Sequence, residues 1–152
     1  FEWPAGLALT NDGLLVCSSD DPTTLYKFAK DGSMDELATV PVLADYSSGF
    51  RRCAVHQQTQ RTYAIADEEE GSGSHALILF DANLQVIATV EATAGATEDD
   101  VNGPIRDVAV HGDQVIVLTS VSHPKGSGLR LLDFDGRFLR TIAAGQFRNP
   151  RF

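Results

Sequence analysis

Cysteine, methionine and tryptophan are all scarce here: 152 residues hold two cysteines, one methionine and one tryptophan. Two cysteines are too few for a disulfide scaffold, and Cys17 and Cys53 lack the spacing of metal ligands. Both lie in apolar, strand-like runs and are expected as buried thiols. Long apolar runs are missing as well. The longest, Ala76 to Phe80, is strand-sized, against the roughly 20 residues that span a bilayer, so no membrane partner is expected. Positive charge is in short supply, with 12 Lys and Arg against 21 Asp and Glu, for a net charge of −9. Nucleic acid is therefore excluded as an expected partner, because phosphate contacts require clustered Lys and Arg. The chain opens at Phe1 without a basic-then-apolar leader, which reads as a mature or cut product.

Catalytic signatures are absent too. There is no Gly-x-Ser-x-Gly elbow, no His-Glu-x-x-His and no phosphate-cradling glycine loop. Gly71-Ser72-Gly73-Ser74 and Lys125-Gly126-Ser127-Gly128 read as flexible Gly-Ser connections. What is present in quantity is apolar side chains, 43% of the total, enough to exclude disorder and to build a core.

Those apolar residues repeat. Leu7-Ala8-Leu9-Thr10, Cys53-Ala54-Val55-His56 and Val108-Ala109-Val110-His111 align. Each is followed by a turn and a second run: Leu14 to Ser18, Thr62 to Ala66, Val115 to Thr119. A third run follows a polar loop, at Leu25 to Phe28, Ala76 to Phe80 and Leu129 to Leu132. The fourth comes after a tight turn, at Glu36 to Val40, Val86 to Val90 and Phe138 to Ile142. The runs are short, β-branched or aromatic, and no helix is expected. Asp31-Gly32 and Asp135-Gly136 supply a glycine for the positive φ of a hairpin, and Asn83 holds the matching place in the middle copy. Asp12-Gly13 and Gly112-Asp113 mark turns between first and second strands.

Second runs such as Val115-Ile116-Val117-Leu118 are apolar at consecutive positions, which requires burial of both faces. A two-sheet sandwich would alternate. Four-stranded sheets strung as repeats and covered on both sides are β-propeller blades. The expected fold is all-β: three four-stranded antiparallel sheets forming an incomplete ring.

The segment Phe1-Glu2-Trp3-Pro4-Ala5-Gly6-Leu7-Ala8-Leu9, followed by Asp12-Gly13 and Val16, resembles the opening of an NHL repeat. Leu132-Asp133-Phe134-Asp135-Gly136-Arg137-Phe138-Leu139-Arg140-Thr141 resembles the end of that repeat, and Gly145-Gln146-Phe147-Arg148-Asn149-Pro150 the start of another. The middle copy departs, with no proline at Gly49-Phe50-Arg51 and no Asp-Gly turn. Pro4 and Pro150 occupy equivalent places, about 49 residues per repeat. The spans that follow are 1–46, 47–101 and 102–146 for three blades and 147–152 for the start of a fourth repeat. Three blades fall short of the four to eight that close a ring. Either the missing part of a longer chain completes it, or self-association does, or the three blades stay an open arc.

Loops joining second to third strands and blade to blade share one face of a propeller. They hold Asp20, Asp21, Asp45, Asp67, Glu68, Glu69, Glu70, Glu98, Asp99 and Asp100, ten of the 21 acidic residues. The expectation is an acidic face for a protein partner or small ligand, or for calcium, since hard cations prefer carboxylate oxygen. The competing reading is a solvated surface, and no cofactor is required. Arg51 and Arg106 align at the head of the first strand, placed either to hold an anion near the channel mouth or to pair with Asp45 or Asp99. His56 and His111 align at its other end, as turn residues or as a shared metal site. The resemblance implies a binding or scaffolding module. Enzymatic six-bladed relatives imply the alternative, part of a metal-dependent hydrolase or lyase, with Asn102 and Asp107 at plausible heights.

Overall fold

The computed structural model describes residues 4–18, 25–33, 35–40, 49–67, 75–91, 104–119 and 128–142, with Asp67 and His75 described by their backbone alone. Twelve strands and no helix are found among them. The first sheet holds β1 (Pro4–Leu9), β2 (Gly13–Ser18), β3 (Leu25–Ala29) and β4 (Glu36–Val40). The second holds β5 (Gly49–Val55), β6 (Thr62–Asp67), β7 (His75–Phe80) and β8 (Val86–Glu91). The third holds β9 (Ile105–His111), β10 (Gln114–Thr119), β11 (Gly128–Leu132) and β12 (Phe138–Thr141). In each, strands pair antiparallel in chain order. Three four-stranded sheets match the expected architecture.

The first strands start earlier than the apolar quartets suggest. β5 begins at Gly49, not Cys53, and takes in Phe50, Arg51 and Arg52. Backbone pairing needs no apolar side chain, and a bulge between Phe50 and Arg52 accommodates the irregular start. A matching bulge lies between Pro4 and Gly6 in β1.

The turns between third and fourth strands have a common mechanism. Asp81 Oδ1 accepts from the amides of Asn83 and Gln85 at 2.8 and 2.9 Å. Asp133 Oδ1 accepts from Asp135 and Arg137, both at 2.9 Å. Gly136 takes a φ of 81° and Gly32 one of 91°, as the Asp-Gly signal requires. In the middle copy the left-handed residue is Leu84, φ 60°, and not Asn83. Register explains the difference. Leu84 stands where Gly136 stands after its Asp133, and its side chain is buried in the core. Burial of a leucine offsets the backbone cost of order 1 kcal/mol.

Two cores separate three sheets. Leu15, Cys17, Leu25 and Val40 of the first sheet pack on Phe50, Cys53, Ala64, Ala66, Ala76, Ile78 and Phe80 of the second. Tyr63, Ile65, Leu77 and Leu79 on the opposite face of the second sheet meet Ile105, Val108, Val115, Val117 and Leu132 of the third. The first strands β1, β5 and β9 pack in succession. Gly6 permits the first junction: a Cβ there would lie 2.8 Å from the Arg51 carbonyl oxygen. Two-sided burial holds for Thr62 to Ala66 throughout. In β10 Val115, Val117 and Thr119 are buried, while Ile116 and Leu118, on the face against which no described sheet packs, are half-buried.

Candidate functional site

The described side chains with the densest polar contacts lie where turns of adjacent sheets meet. The β5–β6 turn, His56 to Arg61, touches both neighbours. Toward the first sheet, Gln57 Nε2 donates to the Leu9 carbonyl at 2.9 Å, and the Asn11 amide donates to Gln60 Oε1 at 2.6 Å. Toward the third, Arg61 Nη1 donates to Asp135 Oδ1 at 2.9 Å and to the Phe134 carbonyl at 3.3 Å. Tyr63 Oη donates to that same carbonyl at 3.1 Å. The buried ring of His56 meets Phe134 edge-on, with centroids 4.6 Å apart. Turn thus meets turn, so neighbouring sheets run the same way and present like ends on one rim.

The electrostatics of this rim are those of a structural clasp. Asp135 holds the Arg61 guanidinium above its ordinary value, and burial raises the Tyr63 phenol. Lys27 holds the Asp12 carboxyl below its usual range, with Nζ 2.8 Å from Oδ1. Asp31, Asp81 and Asp133 serve turn amides. The carboxylates Asp12, Asp31, Asp81, Asp133 and Asp135 therefore already have partners within the chain. The clasp escaped the sequence reading. Its one signal is the unusually polar, glycine-free run His56-Gln57-Gln58-Thr59-Gln60-Arg61.

The other rim carries the ends of β2, β4, β6, β8 and β10 and the starts of β3, β5, β7, β9 and β11. The sequence segments joined there contain Asp20, Asp21, Asp45, Glu68, Glu69, Glu70, Glu98, Asp99 and Asp100, which lie outside the described residues. Asn102, His123 and the segment 147–152 lie outside them too. Asp67 closes β6, its backbone opposite Gly49 and His75. Arg51 and Arg106 sit near the same rim, each exposed, in the adjacent inner strands β5 and β9. Between them in chemistry is Arg52, half-buried, whose Nη1 donates to the Ala5 carbonyl across the first junction. Asp107 beside Arg106 accepts the Val108 amide at 2.9 Å.

The two histidines differ. His56 is buried, and its Nδ1 faces the Thr59 hydroxyl at 2.7 Å and the Thr59 amide at 3.1 Å. His111 is exposed at the end of β9. No group of three or more His, Cys, Asp or Glu able to hold a metal occurs among the described residues. Cys17 and Cys53 are free and buried, and share the first core.

No protein-family profile and no curated protein matches the chain. Solved structures do. The structure of U3-55K, a WD40 propeller, is similar over 95% of this chain and 42% of its own, with a TM-score of 0.65 at 12% identity. A lignostilbene dioxygenase of Pseudomonas brassicacearum, also a β-propeller, is similar over 88% of this chain and 31% of its own, with a TM-score of 0.50 at 13% identity. The chain thus spans less than half the length of either. At such identity the likeness is one of fold. The chain is built of β-propeller blades, three of them, without a closed ring.

Proposed function

We propose that this chain is part of an NHL-like propeller that binds a protein partner through an acidic loop rim, and that the partner presents a basic segment. The observation that carries the reading is the division of labour between the two rims. On the turn rim, Asp12, Asp31, Asp81, Asp133 and Asp135 are engaged by turn amides, Lys27 or Arg61. On the other, the strand ends lead into five connections whose sequences hold nine of the chain's 21 acidic residues, Asp20, Asp21, Asp45 and Glu68 to Glu70 among them. A surface of one sign focuses an opposite charge and speeds association. Arg51 and Arg106 flank the inner end of that rim and give it a place for an acidic group of the partner.

The test is binding of a Lys- and Arg-rich peptide, measured by fluorescence anisotropy at two salt concentrations. Binding is expected to weaken steeply with salt, and to fall at least tenfold when Glu68, Glu69 and Glu70 are replaced by Gln. Equal affinity for the variant, or none for the parent chain, overturns the proposal. Calorimetry with calcium serves the small-ligand form of the reading. Calcium binding accompanied by hydrolysis or elimination on an ester or lactone panel supports the second reading, a metal-dependent hydrolase or lyase propeller, in its place.

A further inference from the structure

The chain's two cysteines meet at one junction. Cys17 stands in β2 and Cys53 in β5, 36 positions apart and in different sheets, and both thiols are free and buried. They share the first core, and their side chains are hydrogen-bonded to each other. Backbone geometry explains the meeting. Cys17 pairs with Gly6 across β1 and β2. A Cβ at Gly6 would lie 2.8 Å from the Arg51 carbonyl oxygen and 3.0 Å from Cα of Arg52, the residue before Cys53. The two backbones therefore approach more closely here than the roughly 10 Å between stacked sheets. A disulfide demands such an approach, with Cα atoms roughly 4.4–6.8 Å apart. Arg52 ties the same point, donating from Nη1 to the Ala5 carbonyl.

The surroundings favour a neutral product. The core that holds the pair is otherwise apolar, with Leu15, Leu25, Val40, Phe50, Ala64 and Ala76 among its members. A thiolate is penalised in such a place, and the Cys17 thiol accordingly lies well above its ordinary value of 9.0, raised by its hydrogen bond to Cys53 and by burial. A metal would need both sulfurs ionised, and no third His, Cys, Asp or Glu joins them among the described residues. A disulfide carries no charge and needs no further partner. The two sulfurs differ in access: Cys17 is 0% exposed and Cys53 9%. An oxidant therefore reaches Cys53 first.

We propose that Cys17 and Cys53 are a redox-sensitive pair that closes an intrachain disulfide and so fastens the first sheet to the second. The oxidant is a small disulfide such as oxidised glutathione. The Cys53 thiolate attacks it, releasing one small thiol and leaving a mixed disulfide, and the Cys17 thiolate then displaces the other. Two protein S–H bonds and the oxidant's S–S bond break, and one protein S–S bond forms. The two protons and two electrons end on two small thiols. Because both sulfurs are buried, the exchange proceeds through transient opening of the junction. In the reduced chain that junction rests on packing alone. In the oxidised chain, a covalent loop removes conformational freedom from the unfolded state. The inference rests on the packing of the first two sheets and is independent of the loop-rim reading, whose peptide assay involves no thiol.

The experiment incubates the folded chain with oxidised glutathione and quenches it in acid. Intact mass, thiol content in denaturant and a non-reducing tryptic map are then read. The expected product is one chain lighter by two hydrogens, without free thiol, whose map joins segment 1–27 to segment 53–61. Its folding equilibrium constant, from urea denaturation, is expected to rise about a hundredfold over the reduced form and to return with dithiothreitol. Cys17→Ala and Cys53→Ala each retain one thiol. Cys53, alone in the first variant, is expected to take up glutathione about tenfold faster than Cys17 does in the second. Both thiols persisting in the folded chain, linkage between chains, or glutathione retained on both cysteines overturns the pair. A disulfide that leaves stability unchanged or lowers it overturns the fastening. Equal rates in the two variants overturn Cys53 as the attacking thiol.

Discussion

Thr62 shows how far a single residue can depart from the rule of its surroundings. It stands in a strand buried from Thr62 to Ala66, and its Oγ1 has no hydrogen-bond partner. A buried hydroxyl without a partner retains its desolvation cost, of order 1–3 kcal/mol. Thr62→Val keeps the shape and removes the cost, so urea denaturation is expected to show a gain of about 1 kcal/mol; a loss would mean that the hydroxyl is satisfied in solution. Cys17 poses a titration question. The hydrogen-bonded Cys53 thiol beside it, together with burial, pushes the Cys17 thiol well above its ordinary value of 9.0. A raised acid pKa means that the native state holds a proton which the unfolded chain releases. Stability is therefore unaffected by this group below the ordinary thiol range and falls as pH rises through it. Thermal melts between pH 7 and 10 are expected to show that decline, and Cys17→Ala is expected to flatten it. An identical slope in the variant would remove Cys17 as its source.

At the scale of elements, the sheets are joined by backbone approach and by turns that reach across. Gly136 carries both. Its φ of 81° is one that L side chains rarely adopt, and a Cβ would lie 2.6 Å from Val90 Cγ2 of the second sheet. Gly136→Ala adds a backbone cost of order 1–3 kcal/mol to that clash, so a loss of at least 2 kcal/mol in chemical denaturation is expected. A neutral result would show that the turn rearranges freely. The Asp-Gly signal at this turn was legible in the sequence, because turn chemistry is local. The clasp of Arg61, Tyr63 and His56 on Phe134 was not. Its partners are more than 70 residues apart, and no local preference brings an arginine to a carbonyl in another sheet. Leu84 was misread for a related reason: its positive φ is sustained by burial in a core that the pattern of one turn does not reveal.

At the scale of the whole molecule, the middle sheet is, among the described residues, the one packed by another sheet on each of its faces. This follows from the two cores, one on each face of the second sheet. The proposed acidic rim belongs to this scale too. Its carboxylates are scattered along the sequence from Asp20 to Asp100, outside the described residues, and the proposal places them on one rim because strands of successive sheets run the same way. Of the candidate site, the charges were readable from the sequence, and their loop position is an expectation on residues outside the described ones. Whether a given arginine faces solvent was not readable: Arg51 is exposed while Arg52 reaches the Ala5 carbonyl across a junction.

By itself the sequence determined the strands, their grouping in fours, the hairpin turns and the burial of the two cysteines. All of these follow from short-range pattern, because alternation, apolar runs and turn residues act within a few positions. The tertiary structure alone decided which faces of the sheets pack on one another, how the turns clasp one another, and that a leucine takes a positive φ at a turn closed over the core. Those are relations between sheets, set by packing across dozens of residues, and no local preference of the chain encodes them.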